Sequence, residues 1–214
     1  MKIGIVGAEC SGKSTLSHAL HTALQPRYGS VELIPEYLRT WSAQHGRPPQ
    51  AHEQSHVADT QAARIAQARA ACVVADTTPL VTAVYSDMLF QDNSLYAAAI
   101  ALQRSLDVTL LACLDLPWVA DGIQRDGVAM QRRVDARLRE VLLAQRLPFA
   151  TVYGLGSLRL QAALQAITHA DARQRAQLPS TAGPAWVWVC DTCSDADCEH
   201  RLFSRLTPTT SVRV

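Results

Sequence analysis

The sequence predicts an α/β fold: one five-stranded parallel sheet flanked by helices, followed by a small cysteine-rich C-terminal appendage. Three observations predict it. Short apolar runs alternate with Ala-, Arg- and Gln-rich stretches of helical spacing, as in a parallel sheet covered on both faces. The first apolar run leads directly into Gly7-Ala8-Glu9-Cys10-Ser11-Gly12-Lys13-Ser14, which fits the phosphate-binding pattern G-x-x-x-x-G-K-[ST]. A length of 214 residues at 48% hydrophobic content suits one well-buried domain with an appendage, and falls short of two full domains.

Taken in order, Ile3-Gly4-Ile5-Val6 is the first strand. After the glycine loop, Leu16, Ala19, Leu20, Ala23 and Leu24 form one apolar stripe of a helix that begins near Ser14. Residues 31–34, 72–75, 108–114 and 149–153 are short and apolar and read as the remaining four strands. Helical spacing occupies 57–71, 96–105, 131–145 and 157–167. Residues 1–170 thus form the phosphate-loop domain. Residues 171–185, ending in Pro179-Ser180-Thr181-Ala182-Gly183-Pro184, read as a linker, and 186–214 as the cysteine-rich tail.

The loop supplies a part for each task in holding a nucleoside triphosphate. Gly7 and Gly12 let backbone N–H groups turn inward. Glu9, Cys10, Ser11 and Thr15 lie along the cradle, and the helix start adds its positive dipole end. Lys13 reaches the β/γ oxygens, and Ser14 can ligate Mg²⁺. The expected cofactors are therefore ATP and Mg²⁺, in what is a P-loop NTPase fold.

Ligands of parallel α/β sheets bind beyond the carboxyl ends of the strands, so the polar residues there are the next candidates. After the second strand, Glu36 can accept a substrate hydroxyl proton or complement a helix N-terminus. Tyr37 and Trp41 can stack on a ring, and Arg39 can hold an anion. After the third, Asp76 precedes Thr77-Thr78 as a second Mg²⁺ ligand or an N-cap. After the fourth, Pro117-Trp118-Val119-Ala120-Asp121-Gly122 leads to Arg125, Arg132 and Arg133. This segment reads as a lid that brings arginine over the phosphates, or as a surface loop entering an arginine-rich helix face. Gly154-Leu155-Gly156 after the fifth can let backbone approach adenine.

A net charge of +1 disfavours sequence-general nucleic-acid binding and membrane-surface attraction. No apolar run has the length of a membrane span, and the chain enters a strand at once. A cytoplasmic protein with reduced thiols and a small-molecule substrate is the expectation. The oligomeric state stays open.

The glycine loop, the Glu36-Tyr37-Leu38-Arg39 run, Asp76-Thr77-Thr78 and especially Pro117 to Gly122 together resemble the ribosylnicotinamide kinase domain of the bacterial NadR family, over roughly residues 1–168. The resemblance implies a P-loop kinase domain that transfers the ATP γ-phosphate to the 5′-hydroxyl of nicotinamide riboside, giving nicotinamide mononucleotide. Carried over, it implies Lys13 and Ser14 for ATP and Mg²⁺, Asp76 for the metal or the acceptor, Glu36 for the acceptor ribose and Arg125 for the lid; Lys13, Glu36, Asp76 and Arg125 are then the catalytic candidates, and Glu36, Tyr37, Arg39, Trp118 and Asp121 the substrate-binding ones. The chain departs from the family at Thr78, where a second aspartate is expected. Kinase action on another nucleoside or nucleotide, and a nucleotide-dependent switch or regulatory ATPase, stay open as readings.

The tail holds Cys190, Cys193, Cys198 and His200, spaced C-x₂-C-x₄-C-x-H. Four soft ligands within eleven residues can surround a structural Zn²⁺ tetrahedrally. Incidental or redox-active thiols are the alternative.

Overall fold

The five expected strands all form, and they pair side by side, all parallel, in the order β2-β3-β1-β4-β5. The computed structural model describes residues 1–118 and 127–177, with side chains through 172. In chain order its elements are β1 (Lys2–Val6), α1 (Lys13–Tyr28), β2 (Val31–Ile34), α2 (Tyr37–His45), a 3-10 turn (Ala51–Glu53), α3 (Gln54–Gln67), β3 (Cys72–Asp76), α4 (Pro79–Phe90), α5 (Tyr96–Arg104), β4 (Val108–Ala112), α6 (Val128–Ala144), β5 (Ala150–Val152) and α7 (Gly156–Gln177). Contacts divide the chain after Arg173, and the architecture described is that of Met1–Arg173.

The central strands β1, β3 and β4 bury both faces, so alternate residues serve opposite layers. Ile3, Ile5, Val74 and Leu110 pack with Leu16, Leu20 and Leu24 of α1 and with Ala163 and Ile167 of α7. Val6 and Leu111 point the other way, into Leu80 and Val84 of α4 and Val134, Leu138 and Leu142 of α6. The strand order reverses beside β1. Strands β2 and β3 lie on one side of it and β4 and β5 on the other, which opens a crevice over the carboxyl end of β1.

Helix bounds shift from the spacing for identifiable reasons. The helix expected from residue 57 starts at Gln54, because Gln50 and Glu53 form a reciprocal capping box just before it. The helix expected over 157–167 runs to Gln177, beyond the expected start of the linker at 171. There, Arg27 bonds both Thr168 and Asp171 and ties that stretch to α1. Helices α2 and α4 carry no clean stripe in the sequence; α4 is buried along most of its length. Among the described residues, no helix is long and apolar enough to cross a membrane.

Candidate active site

The loop between β1 and α1 has the geometry that its glycines dictate. At Gly7, φ is +154°, and a Cβ would lie 2.7 Å from Ser11 Oγ and 2.9 Å from the Ala112 carbonyl oxygen, so no side chain fits. Gly12 takes the left-handed conformation at the N-cap of α1. Lys13 is nearly buried. Its Nζ donates to the Ala8 carbonyl at 2.8 Å, and Ser11 Oγ donates to the same oxygen at 2.7 Å. A phosphate oxygen is a stronger acceptor than that neutral carbonyl, so the ammonium is placed to exchange one for the other.

At the end of β3, register sets Asp76 opposite Ile5, two residues before Gly7. Asp76 is 5% exposed, and its Oδ1 has no hydrogen-bond partner. A buried carboxylate oxygen without a donor is costly unless a cation or a donor meets it, so Asp76 suits a Mg²⁺ ligand directly or through water. Thr77 follows with φ +89°, a genuine outlier for a β-branched residue, and its Oγ1 is also buried without a partner. Gln61 holds this turn: its Nε2 donates to the Thr77 carbonyl at 3.3 Å, while its Oε1 accepts from the Tyr37 N–H at 2.8 Å. Thr78 is committed elsewhere, donating from Oγ1 to Gln103 Oε1 at 2.7 Å.

Glu36 is the N-cap residue of α2, and its Oε2 accepts from Arg39 Nη2 at 3.1 Å. Helical geometry then sorts the residues behind it. Leu38, Arg39 and Ser42 line a cavity of about 440 Å³ together with Glu9 to Thr15, Glu36, Thr77 and residues of α4. Tyr37 and Trp41, four apart, share a different face. The Tyr37 hydroxyl contacts His56 Nε2 at 3.2 Å and its ring lies under Arg64. Trp41 is 3% exposed, stacked on His45 at 3.8 Å between centroids and covered by Arg47. The expectation that Trp41 stacks on a ligand is therefore corrected, since its ring is consumed by the protein's own packing.

After β4, Leu116 and Pro117 reach the cavity wall, and Trp118 stands next to them with its indole Nε1 buried and unpartnered. Asp121 and Arg125 lie outside the described residues. Arg132 and Arg133 are exposed on α6, as the arginine-rich helix face of the alternative reading would have them. On the same helix Gln131 is buried and donates from Nε2 to the Glu9 carbonyl at 2.8 Å, while Tyr85 of α4 bonds the Glu9 carboxylate. The phosphate loop is thereby held from two helices beyond its own.

Arg159 is the residue that sequence reasoning missed. It is 5% exposed. Its Nη2 donates to the carbonyls of Ser11, at 2.6 Å, and Cys113, at 3.1 Å; its Nη1 donates to Asp115 Oδ1, at 2.6 Å, and to the Gly154 carbonyl, at 3.1 Å. Burial pushes the Asp115 carboxyl up, but the bonds from Arg159 and from the Gly154 N–H outweigh it and hold it below its ordinary value. Cys190, Cys193, Cys198 and His200 lie outside the described residues. Among the described residues, no group of three or more His, Cys, Asp or Glu side chains is arranged to hold a metal ion.

A family model described as "AAA domain" matches residues 2–159. Among solved structures, NadR in complex with NR aligns with a TM-score of 0.63 at 17% identity, covering 78% of this chain and 50% of that one. Thymidylate kinase from Ehrlichia chaffeensis gives 0.56 at 18% identity, over 79% and 97% of the two chains. Deoxyadenosine kinase from M. mycoides with bound dCTP gives 0.52 at 15%, over 79% and 100%. The chain thus has a nucleoside- and nucleotide-kinase-like fold, and it spans about half the length of the NadR chain it matches. A comparison with curated proteins finds no match.

Proposed function

Because this chain belongs to the AAA domain family, a P-loop family, we propose that it is an ATP-dependent phosphotransferase acting on the 5′-hydroxyl of a nucleoside, with nicotinamide riboside as acceptor and nicotinamide mononucleotide as product. One observation carries this reading: Glu9 to Thr15 and Glu36 line the same cavity of about 440 Å³, so the phosphate loop and a carboxylate suited to an acceptor hydroxyl share one enclosure. A switch that only binds and hydrolyses nucleotide has no need of that carboxylate.

The charges of that enclosure favour a nucleoside over a nucleotide as acceptor. Among the described lining residues the cations are Lys13 and Arg39. Lys13 belongs to the phosphate loop, and Arg39 is paired with Glu36. A phosphorylated acceptor would meet Glu9 and Glu36 with no uncommitted cation among these residues, at a cost in repulsion that a neutral or cationic nucleoside avoids. Leu38, Pro49 and Phe90 add apolar surface to the same lining, which suits the faces of a flat ring.

In this mechanism the chain positions reactants and neutralises charge, as phosphoryl transfer requires. Lys13 leaves the Ala8 carbonyl for the β/γ-phosphate oxygens. The backbone N–H groups at the start of α1 face the same oxygens. Glu36 accepts the hydrogen bond of the acceptor hydroxyl and aims its oxygen in line with the γ-phosphorus. Ser14 and Asp76 would hold Mg²⁺, which supplies neutralisation between the phosphates when bound. Arg125 is assigned to the developing charge on the transferred group. The tail cysteines and His200 are proposed as a structural Zn²⁺ site, separate from the chemistry.

The test is ADP formation from Mg·ATP with and without nicotinamide riboside, beside a panel of other nucleosides and nucleotides, with product masses measured. Selective stimulation with nicotinamide mononucleotide as product is the expected result. Lys13→Ala should abolish it while leaving the fold intact. Slow hydrolysis indifferent to every acceptor would overturn the kinase reading.

A further inference from the structure

Ser42 has a feature that the transfer chemistry does not use. A serine or threonine buried inside a helix can satisfy its hydroxyl by turning it back onto the carbonyl three or four residues earlier. Among the described residues, Ser17 does so onto Ser14 at 2.8 Å, Thr22 onto His18 at 3.3 Å and Thr168 onto Leu164 at 2.9 Å. Ser42, within α2, does not. It is 3% exposed, its Oγ has no hydrogen-bond partner, and it stands in the wall of the cavity. A buried hydroxyl in that condition costs free energy, and a ligand group that meets it removes the cost.

We propose that Ser42 is a specificity-determining residue that hydrogen-bonds a polar substituent on the acceptor's ring. The inference rests on the kinase reading above and adds to it the means of choosing among nucleosides. Placement supports it. Ser42 lies six residues beyond Glu36, which at the helical rise is about 9 Å further along α2. Both residues line the same cavity, so an acceptor whose sugar hydroxyl meets Glu36 can bring the far edge of its ring to Ser42. The surroundings are built to stay still. Gly46 closes α2 in the left-handed conformation, and the chain returns through Pro48 and Pro49 into the same wall. Arg47 there is clamped by Glu53 through bonds of 2.7 and 2.8 Å and lies over the Trp41 ring. Gln54, also in the wall and 5% exposed, is fixed by a bond from its Nε2 to the Pro49 carbonyl at 3.1 Å.

A hydroxyl can donate one hydrogen bond and accept others, so the complementary group is a carbonyl or an amide on the ring. The ligand class is therefore a ribonucleoside whose ring bears such a substituent opposite its sugar. An apolar ring of the same shape would leave Ser42 unmet and lose the discrimination.

The experiment pairs two acceptors with two proteins. Wild type and Ser42→Ala are assayed with nicotinamide riboside and with pyridine riboside, which lacks the carboxamide, and KM for ATP is measured in parallel. The expected result is a loss of roughly tenfold in kcat/KM for nicotinamide riboside in the variant, carried by KM, with kcat and the ATP KM nearly unchanged. With pyridine riboside, wild type and variant should differ by less than about twofold. Equal losses with both acceptors, or no loss with either, would overturn the role of Ser42. Wild-type turnover separates this inference from its premise: no transfer to any riboside refutes the kinase reading itself, and the inference with it. Ser42→Ala removes an unmet buried hydroxyl from a helix, so the variant is expected to fold at least as well as wild type.

Discussion

Arg159 and Asp115 form an ion pair of 2.6 Å in which the guanidinium is 6% and the carboxylate 33% exposed, and the same guanidinium reaches the Ser11 carbonyl of the phosphate loop. One side chain of α7 thus joins the turn after β4, the turn after β5 and the glycine loop between β1 and α1. No apolar contact could fix three irregular segments at once, because each offers only carbonyl or carboxylate oxygens at that point. A planar fork of donors can.

Arg159→Ala should therefore lower stability by about 2–4 kcal/mol, since Asp115 and several carbonyls lose their donors together. Arg159→Lys should recover only part, because an ammonium cannot span four acceptors placed around a plane. Urea unfolding reads the stability, and KM for ATP reads the loop. Wild-type stability in both variants would show that the fork carries no structural weight.

A second expectation concerns acid. Glu53 is lowered from its ordinary 4.5 to about 2, first by the side-chain bond from Arg47 and then by the Gln50 N–H. A carboxyl depressed in the folded state stabilises above its unfolded pKa and loses that contribution as pH falls through the folded value. The difference in urea midpoint between wild type and Glu53→Gln should thus be full above about pH 5 and shrink steadily towards pH 2. Asp115, also held low, adds to acid sensitivity in the same direction. A midpoint difference that is flat across this range would sink the assignment. Because Glu53 clamps the Arg47 to Gln54 wall, acceptor affinity should weaken over the same range.

These residues mark how far the sequence could be read. The strand, glycine loop and helix at Ile3 to Leu24 were legible because their spacing is a local property, as were the five apolar strands. Helix α4 was not, since Pro79 to Phe90 is apolar on nearly all sides and periodicity has nothing to contrast. Tyr37 and Trp41 were read as ring-stacking residues because aromatic identity is visible, whereas the helical face that turns them from the cavity depends on where α2 docks. Arg159 was hidden for a similar reason. In sequence it is one arginine in an amphipathic stretch, and only the folded sheet brings Ser11, Cys113, Asp115 and Gly154 around it. Ser42 left no signal, since a missing hydrogen bond is defined by its surroundings.

Thr77 offers a test of stored strain. A β-branched residue at φ +89° costs roughly 1–3 kcal/mol, part of which glycine's greater freedom in the unfolded chain offsets on replacement. Removing its unpartnered buried hydroxyl adds a further gain. Thr77→Gly should raise stability by about 1 kcal/mol while lowering the rate of phosphoryl transfer roughly tenfold, as strain kept at a working site predicts. Thermal unfolding alongside steady-state rates checks both; a variant that is less stable and fully active would contradict the account.

Asp76 should show the same opposition more sharply. Its Oδ1 is enclosed next to the phosphate loop with no donor to meet it, so the folded protein carries an uncompensated polar atom. Asp76→Asn keeps the shape and removes the charge, and should raise stability in the absence of nucleotide and Mg²⁺ by about 1–2 kcal/mol. The same change should reduce transfer by roughly 100-fold or more and raise the Mg²⁺ concentration needed for half-maximal rate. A carboxylate that served only the fold would do the reverse, costing stability on replacement and leaving the Mg²⁺ requirement where it was. Chemical unfolding without ligands and a Mg²⁺ titration of the rate separate the two, because the metal-binding role alone predicts that the two measurements move in opposite directions.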